Sequence, residues 1–238
     1  MLKNNWFTHL FAICFLTLAL LSFEYAEYFS LVFIIFLLGL ILRNLTNANI
    51  ISVALIFLLE RFLEQFILLT SIYPVTKPII YMLSLYIAYK LKYDPLTRHI
   101  ILPTIVIGIS CEFYWLYNGY NAPKLDWFIA LLILNAITRH LIFMRVPTFK
   151  KYQAIPYFQK RLTSPLSQAS FDLPLYRLAQ INMILITMMI GEYLIRHLSP
   201  LNPLVVYKYY SEMVHMLTFM AVFFITTFLF QSKFKMKA

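Results

Sequence analysis

The chain has 238 residues, of which 61% are hydrophobic and 13% charged, with 20 Lys/Arg against 10 Asp/Glu and a formal net charge of +10. Soluble domains carry about 25% charged residues, whereas here apolar runs of roughly 20 residues, long enough to cross a bilayer, recur throughout. Little chain is left for a separate soluble catalytic or nucleic-acid-binding domain, and the cytoplasmic bias of membrane-protein loops accounts for the basic excess without a nucleic-acid partner.

Eight spans are expected in chain order, forming one all-α transmembrane domain over residues 1–238. The first, Trp6–Phe23, follows a single lysine and runs into Ser22-Phe23-Glu24, which is too bulky and acidic for a small-residue cleavage site, so it reads as a retained helix. Tyr28–Arg43 and Pro78–Leu91 are short for a full crossing. Ile50–Ile72, Ile100–Tyr117, Trp127–Met144, Leu175–Leu198 and Leu204–Phe230 complete the set. Turn chemistry at Tyr73-Pro74, Asp94-Pro95, Asn118-Gly119, Ser199-Pro200 and Asn202-Pro203 predicts antiparallel hairpins. The one long connection, 145–174, carries Lys150-Lys151 and Lys160-Arg161 among Tyr152, Tyr157, Phe158 and Phe171, with Arg177 just beyond it. A basic, aromatic segment beside a membrane is expected to lie at the cytoplasmic interface and meet anionic headgroups.

Charge fixes the expected orientation. Odd-numbered segments carry Glu24, Glu60, Glu112 and Glu192 towards their ends, while even-numbered ones close at Arg43, Lys90/Lys92, Arg139/Arg145 and Lys233/Lys235/Lys237. Only Lys77, Lys124, Arg196 and Lys208 among the cations fall on the sparsely basic side, so both termini are expected in the cytoplasm, with the protein in the cell inner (plasma) membrane. The acids distribute the other way: Glu24, Glu27, Glu60, Glu64, Glu112, Asp126, Glu192 and Glu212 lie at mid-membrane or outward, and Asp94 and Asp172 alone lie inside.

Intramembrane charges are the candidate functional residues, because an unpaired charge at bilayer depth costs from about 3 to above 10 kcal/mol and must face protein or water. Glu60 and Glu64 share a face of the third helix, with Arg61 as a cation for another helix. Lys208, Ser211, Glu212, His215 and Thr218 form a stripe at three- and four-residue spacing on the last helix, where Glu212 and His215 have the chemistry of a proton relay or cation site. Glu192 and Arg196 stand four apart on the seventh helix in the spacing of a local ion pair, and Glu112 lies at similar depth on the fifth. The candidate polar site is therefore Glu60, Arg61, Glu64, Glu112, Glu192, Arg196, Glu212 and His215. On the sixth helix Asn135, Thr138 and Arg139 share a face.

Two enzyme signatures are approached. Cys111, Arg139 and His215 occur in the order of the exosortase-type membrane transpeptidases, and Asn135-Ala136-Ile137-Thr138-Arg139 resembles their arginine helix, but Glu112-Phe113 follows the cysteine where that family has Ser-Gly. Gly191-Glu192-Tyr193-Leu194-Ile195-Arg196 resembles the Glu-Glu-x-x-x-Arg signature of glutamate-type intramembrane proteases, with Gly191 in place of the first glutamate. Phosphate loops, paired metal-binding histidines and nucleophile elbows are missing from the sequence, and Cys14 and Cys111 have no metal-ligand spacing, so no cofactor or metal is expected. The pattern predicts binding or translocation of a cation, proton or small solute. An intramembrane enzyme acting on a lipid or membrane-anchored substrate uses the same groups, and a structural subunit of a membrane complex, with a membrane-protein partner or a second copy, needs none of them reactive.

Overall fold

The computed structural model describes residues 13–15, 17, 18, 20–23, 25–70, 75–120, 124–153 and 166–235. Among them the chain is helical and contains no strand. Helix α1 is Ala26–Arg43, α2 Ala48–Thr70, α3 Thr76–Lys90, α4 Leu102–Tyr117, α5 Leu125–Phe143, α6 Arg145–Gln153, α7 Asp172–Leu198 and α8 Val205–Lys235. Thr97–Tyr117, Leu125–Phe143, Asp172–Leu198 and Val205–Leu229 are long and apolar enough to cross a membrane, and Tyr28–Arg43 is a shorter apolar helix. The chain is thus a membrane protein by the length and composition of these helices. Of the other expected spans, α2 has 23 residues, but Glu60, Arg61 and Glu64 interrupt its apolar run. Helix α3, at 15 residues, reaches only about 22 Å at 1.5 Å per residue. Half of Trp6–Phe23, the Tyr73-Pro74 turn and residues 154–165 of the long connection lie outside the described residues, as do the side chains of Glu24 and Glu27.

The helix boundaries follow from local chemistry. Asn47 Oδ1 accepts the amides of Asn49 and Ile50 at 3.1 and 3.4 Å, which caps the start of α2. Asp94 does the same for Thr97, taking its N–H at 2.9 Å and its hydroxyl at 2.8 Å, with Pro95 where the missing N–H costs nothing. Between Thr97 and Ile101 the backbone opens into a π turn, and the Leu102 amide reaches back to the Thr97 carbonyl. Pro103 supplies the cause, since its ring would collide with the carbonyl of His99 in a regular α-helix. At the other end of α4, Gly119 adopts φ +67°. The Tyr120 amide bonds the Trp115 carbonyl at 2.8 Å and the Gly119 amide bonds that of Leu116 at 3.2 Å. This Schellman closure needs a left-handed residue, which glycine supplies without strain.

Two compact units share the chain: Met1–Arg61 with Arg139–Leu178 and Ser211–Ala238, and Phe62–Thr138 with Ala179–Tyr210. In the first, Phe29, Phe33, Phe36, Leu37 and Leu40 of α1 and Ile50, Val53 and Ala54 of α2 are buried at helical spacing, and the Phe33 and Phe57 rings meet at 6.0 Å. Phe171 closes edge-on against Phe228 at 4.9 Å. Between helices that can both be solvated by lipid, such contacts act through close packing more than through removal from water.

In the second unit α4 buries Ile105, Gly108, Cys111, Glu112 and Trp115 along one stripe. A Cβ added at Gly108 would lie 2.7 Å from Ile129 Cδ1, so α4 and α5 approach to a distance that only glycine permits without a shift of Ile129. Within this unit α3 packs on the π turn and on α4.

Candidate functional site

The tightest convergence of charge lies in the second unit. Lys77 and Tyr81 stand one turn apart on α3 and therefore on one face. Lys77 Nζ meets Glu112 Oε2 at 2.8 Å, and the Tyr81 hydroxyl donates to Glu112 Oε1 at 3.0 Å. One helix thus grips both oxygens of a carboxylate presented by another. Glu112 and Asp126 are both buried. Asp126 opens α5, takes hydrogen bonds from the backbone amides there and lies within electrostatic reach of Lys77 and Glu112. The positive end of α5 favours the Asp126 charge, while Glu112 depends on Lys77 and Tyr81.

Aromatic rings continue this cluster along the ends of α4 and α7. The Trp115 ring lies 6.1 Å from Tyr120, 6.3 Å from Tyr193 and 5.8 Å from His197. The Tyr193 and His197 rings lie 4.2 Å apart, tilted by 41°, and Tyr120 Oη shares a 2.6 Å hydrogen bond with His197 Nδ1. Tyr193 in turn is within electrostatic reach of Glu112, Asp126 and Tyr120. Trp115 is 2% exposed, and its indole N–H has no hydrogen-bond acceptor among the described residues.

Of the remaining sequence-predicted residues, Arg196 borders this group through the Tyr193 ring. Glu192 accepts the Val206 and Tyr207 amides at 2.9 Å each, so its carboxylate serves as an N-terminal cap for α8. Arg196 lies over the rings of Tyr193 and Tyr207, at 5.8 and 5.0 Å. Glu64 belongs to the same unit and is half-buried.

In the first unit, Glu60 is buried and touches Arg61 loosely at 3.9 Å, while the Arg61 guanidinium lies 5.8 Å from the Phe33 ring centre. His215 is buried, stacks on Phe29 at 3.9 Å, meets Phe23 edge-on at 5.3 Å and donates from Nδ1 to the Phe23 carbonyl at 2.8 Å. Arg61 and Glu212 are within electrostatic reach of His215, but Glu212 itself is exposed. The imidazole here fastens α8 to the turn before α1.

A second charged cluster, also in the first unit, is complete in itself. Arg145 is 0% exposed. Its Nε and Nη2 donate to Asp172 Oδ1 and Oδ2 at 2.8 and 2.6 Å, Nη1 to Asn49 Oδ1 and Ser52 Oγ at 3.1 and 2.9 Å, and Nη2 also to the Ser167 carbonyl at 2.9 Å. A guanidinium has five N–H donors, and all are used. This group can hold three helices together but has no donor left for a ligand. Nearby in sequence, Arg139 stacks over Tyr176 at 4.4 Å and donates to its hydroxyl. Asn182 Nδ2 donates to Asn135 Oδ1 at 2.6 Å in the second unit.

Sequence reasoning found Glu112 but missed Lys77, Tyr81 and Asp126 as its company. The available signal was the pairing of Lys77 with Tyr81 at i,i+4 in the first turns of a helix whose start carries one of the few outward cations. Cys14 and Cys111 are free thiols, and no group of three or more His, Cys, Asp or Glu suited to a metal occurs among the described residues. Comparison with family models, with curated proteins and with solved structures finds no match.

Proposed function

We infer that this is an inner-membrane protein that binds, and by exchange moves, a proton or small cation at Glu112. The observation that carries this is the Lys77–Glu112 ion pair with Tyr81 on the second oxygen and Asp126 within electrostatic reach. Ionisable side chains at membrane depth are costly and mark ion pathways by default. A carboxylate held by a flexible lysine is an exchangeable site, because a proton or cation arriving on Glu112 takes over the charge that Lys77 neutralises. The polar site of this reading is narrower than the sequence pattern, since Glu192 and His215 are engaged in fastening helices.

The reading includes eight spans as antiparallel hairpins, both termini in the cytoplasm, within one transmembrane domain. In its support, Asn49, Ser52, Arg145 and Asp172, all expected at inner helix ends, meet in one cluster, and Lys77, Glu112, Asp126, Tyr193 and His197, all expected outward, meet in another. The connection 145–174 then lies against anionic headgroups of the inner leaflet, with Lys150 and Lys151 exposed on α6.

A structural or assembly role, with a membrane-protein partner or a second copy, is the second reading. It is favoured by the purely fastening contacts of Glu192, His215 and Arg145. Proteoliposomes containing the full chain separate the two: an imposed cation gradient should drive a pH-dye signal in the wild type and not in Glu112→Gln. Equal signals from the two proteins, or no signal above empty liposomes in a folded wild type, would leave the assembly role.

A further inference from the structure

Resting on the reading of Glu112 as a cation site, we propose that the cation is a small primary ammonium compound, and that Lys77 is its tethered competitor. The site already holds such a group: the lysine ammonium sits 2.8 Å from Glu112 Oε2, so charge, donor geometry and size at that oxygen fit R–NH3+. The clamp is asymmetric. Tyr81 fixes Oε1 with a neutral hydroxyl, while Oε2 is served by a side chain that is 27% exposed against 11% for Glu112. The Lys77 ammonium therefore has a way out to solvent on its own stem, and the carboxylate does not. Exchange conserves charge: the incoming ammonium takes Oε2, Lys77 moves out still protonated, and Tyr81 keeps the carboxylate in register.

A second observation points to a ligand independently. Trp115 lies three residues after Glu112 on the same buried face of α4, about 5–6 Å away at Cβ, and its buried indole N–H has no acceptor among the described residues. Leaving such a donor unmade is costly in an apolar interior. A short amine bearing an oxygen acceptor satisfies both ends, donating to Glu112 and accepting from Trp115. Tyr193, within electrostatic reach of both carboxylates, and the Trp115 ring 6.3 Å from it give aromatic surroundings that suit an organic cation better than a strongly hydrated inorganic one. Two sources carry this chemistry, a water-soluble amino alcohol and the ethanolamine headgroup of a lipid.

The chain has three tryptophans, so indole 15N–1H spectra of the full chain in nanodiscs give three assignable signals, with Trp115→Phe identifying the relevant one. In phosphatidylcholine discs at constant pH, ethanolammonium chloride should shift the Trp115 signal saturably. Ethylammonium should bind with a smaller shift, and sodium and tetramethylammonium should leave it in place. Glu112→Gln should abolish the response. Lys77→Met should tighten apparent binding about tenfold or more, and Lys77→Arg, whose guanidinium pairs more firmly with a carboxylate, should weaken it, so either variant decides the competitor role if the other fails to fold. A shift on adding phosphatidylethanolamine to the discs, with none from the soluble amine, assigns the lipid source. The proposal is overturned if no amine or headgroup moves the Trp115 signal, or if affinity is the same in both Lys77 variants and the wild type. If protons or sodium still give a Glu112-dependent response, the cation-site reading survives that failure; if nothing depends on Glu112, both fall.

Discussion

Replacing Arg145 tests the physical argument where the structure is most explicit. The guanidinium is fully enclosed and its five donors reach Asp172, Asn49, Ser52 and the Ser167 carbonyl. Arg145→Met removes the charge and leaves Asp172, among the described residues, with the Ala169 amide at 2.8 Å. Breaking a buried ion pair from one side costs about 3–5 kcal/mol, chiefly because the surviving charge stays buried. Arg145→Lys keeps the charge but has three donors for five positions. Two lost bonds at about 1–1.5 kcal/mol each give a cost of about 2–3 kcal/mol. In Arg145→Met/Asp172→Asn no uncompensated charge remains, so the double variant should be less destabilised than the sum of its parts by about 1–3 kcal/mol. Reversible unfolding of the full chain in mixed micelles, followed by circular dichroism against the denaturing-detergent fraction, measures these variants and the Asp172→Asn single that completes the cycle. Values for Arg145→Lys within about 0.5 kcal/mol of the wild type, the range of an ordinary surface substitution, would refute the enclosed guanidinium.

Substitutions at three further positions probe other joints. Glu192→Ala removes the acceptors of the first-turn amides of α8 and should cost about 0.5–2 kcal/mol, with hydrogen exchange accelerated specifically at Val206 and Tyr207; unchanged exchange there would count against the cap. His215→Phe keeps the stack on Phe29 and loses the bond to the Phe23 carbonyl, about 1–2 kcal/mol in the same unfolding assay, whereas His215→Ala adds a cavity and should cost more; the reverse order would remove the aromatic seat from the account. Gly108→Val forces α5 away through Ile129 and should destabilise by about 1–3 kcal/mol, while a neutral result would mean that α4 and α5 do not meet at that glycine.

The legible part of the fold was the part set by local chemistry and composition. Asn118-Gly119 and Asp94-Pro95 are a helix stop and a helix start because a left-handed glycine and an aspartate before proline each have one low-cost use. The apolar runs gave α4, α5, α7 and α8 within a few residues. What sequence could not give was partnership. Glu192 and Arg196, at ion-pair spacing, take different partners, because the carboxylate finds two unsatisfied backbone amides at the start of α8 and the guanidinium finds two tyrosine faces. His215, in a stripe that suggests titration chemistry, is held by rings from residues 192 and 186 positions earlier in the chain. The Arg145–Asp172 pair had a visible hint: Asp172 is one of two acids on a side crowded with cations, where an acid has every reason to pair.

The central claim is that Glu112 carries the exchanging charge. Infrared difference spectra of the reconstituted full chain, with and without the cation, read that carboxylate directly. The account predicts carboxylate-stretch difference bands that vanish in Glu112→Gln and change in Lys77→Met. Bands that persist unchanged in Glu112→Gln, or their absence from a folded wild type at saturating cation, would contradict it.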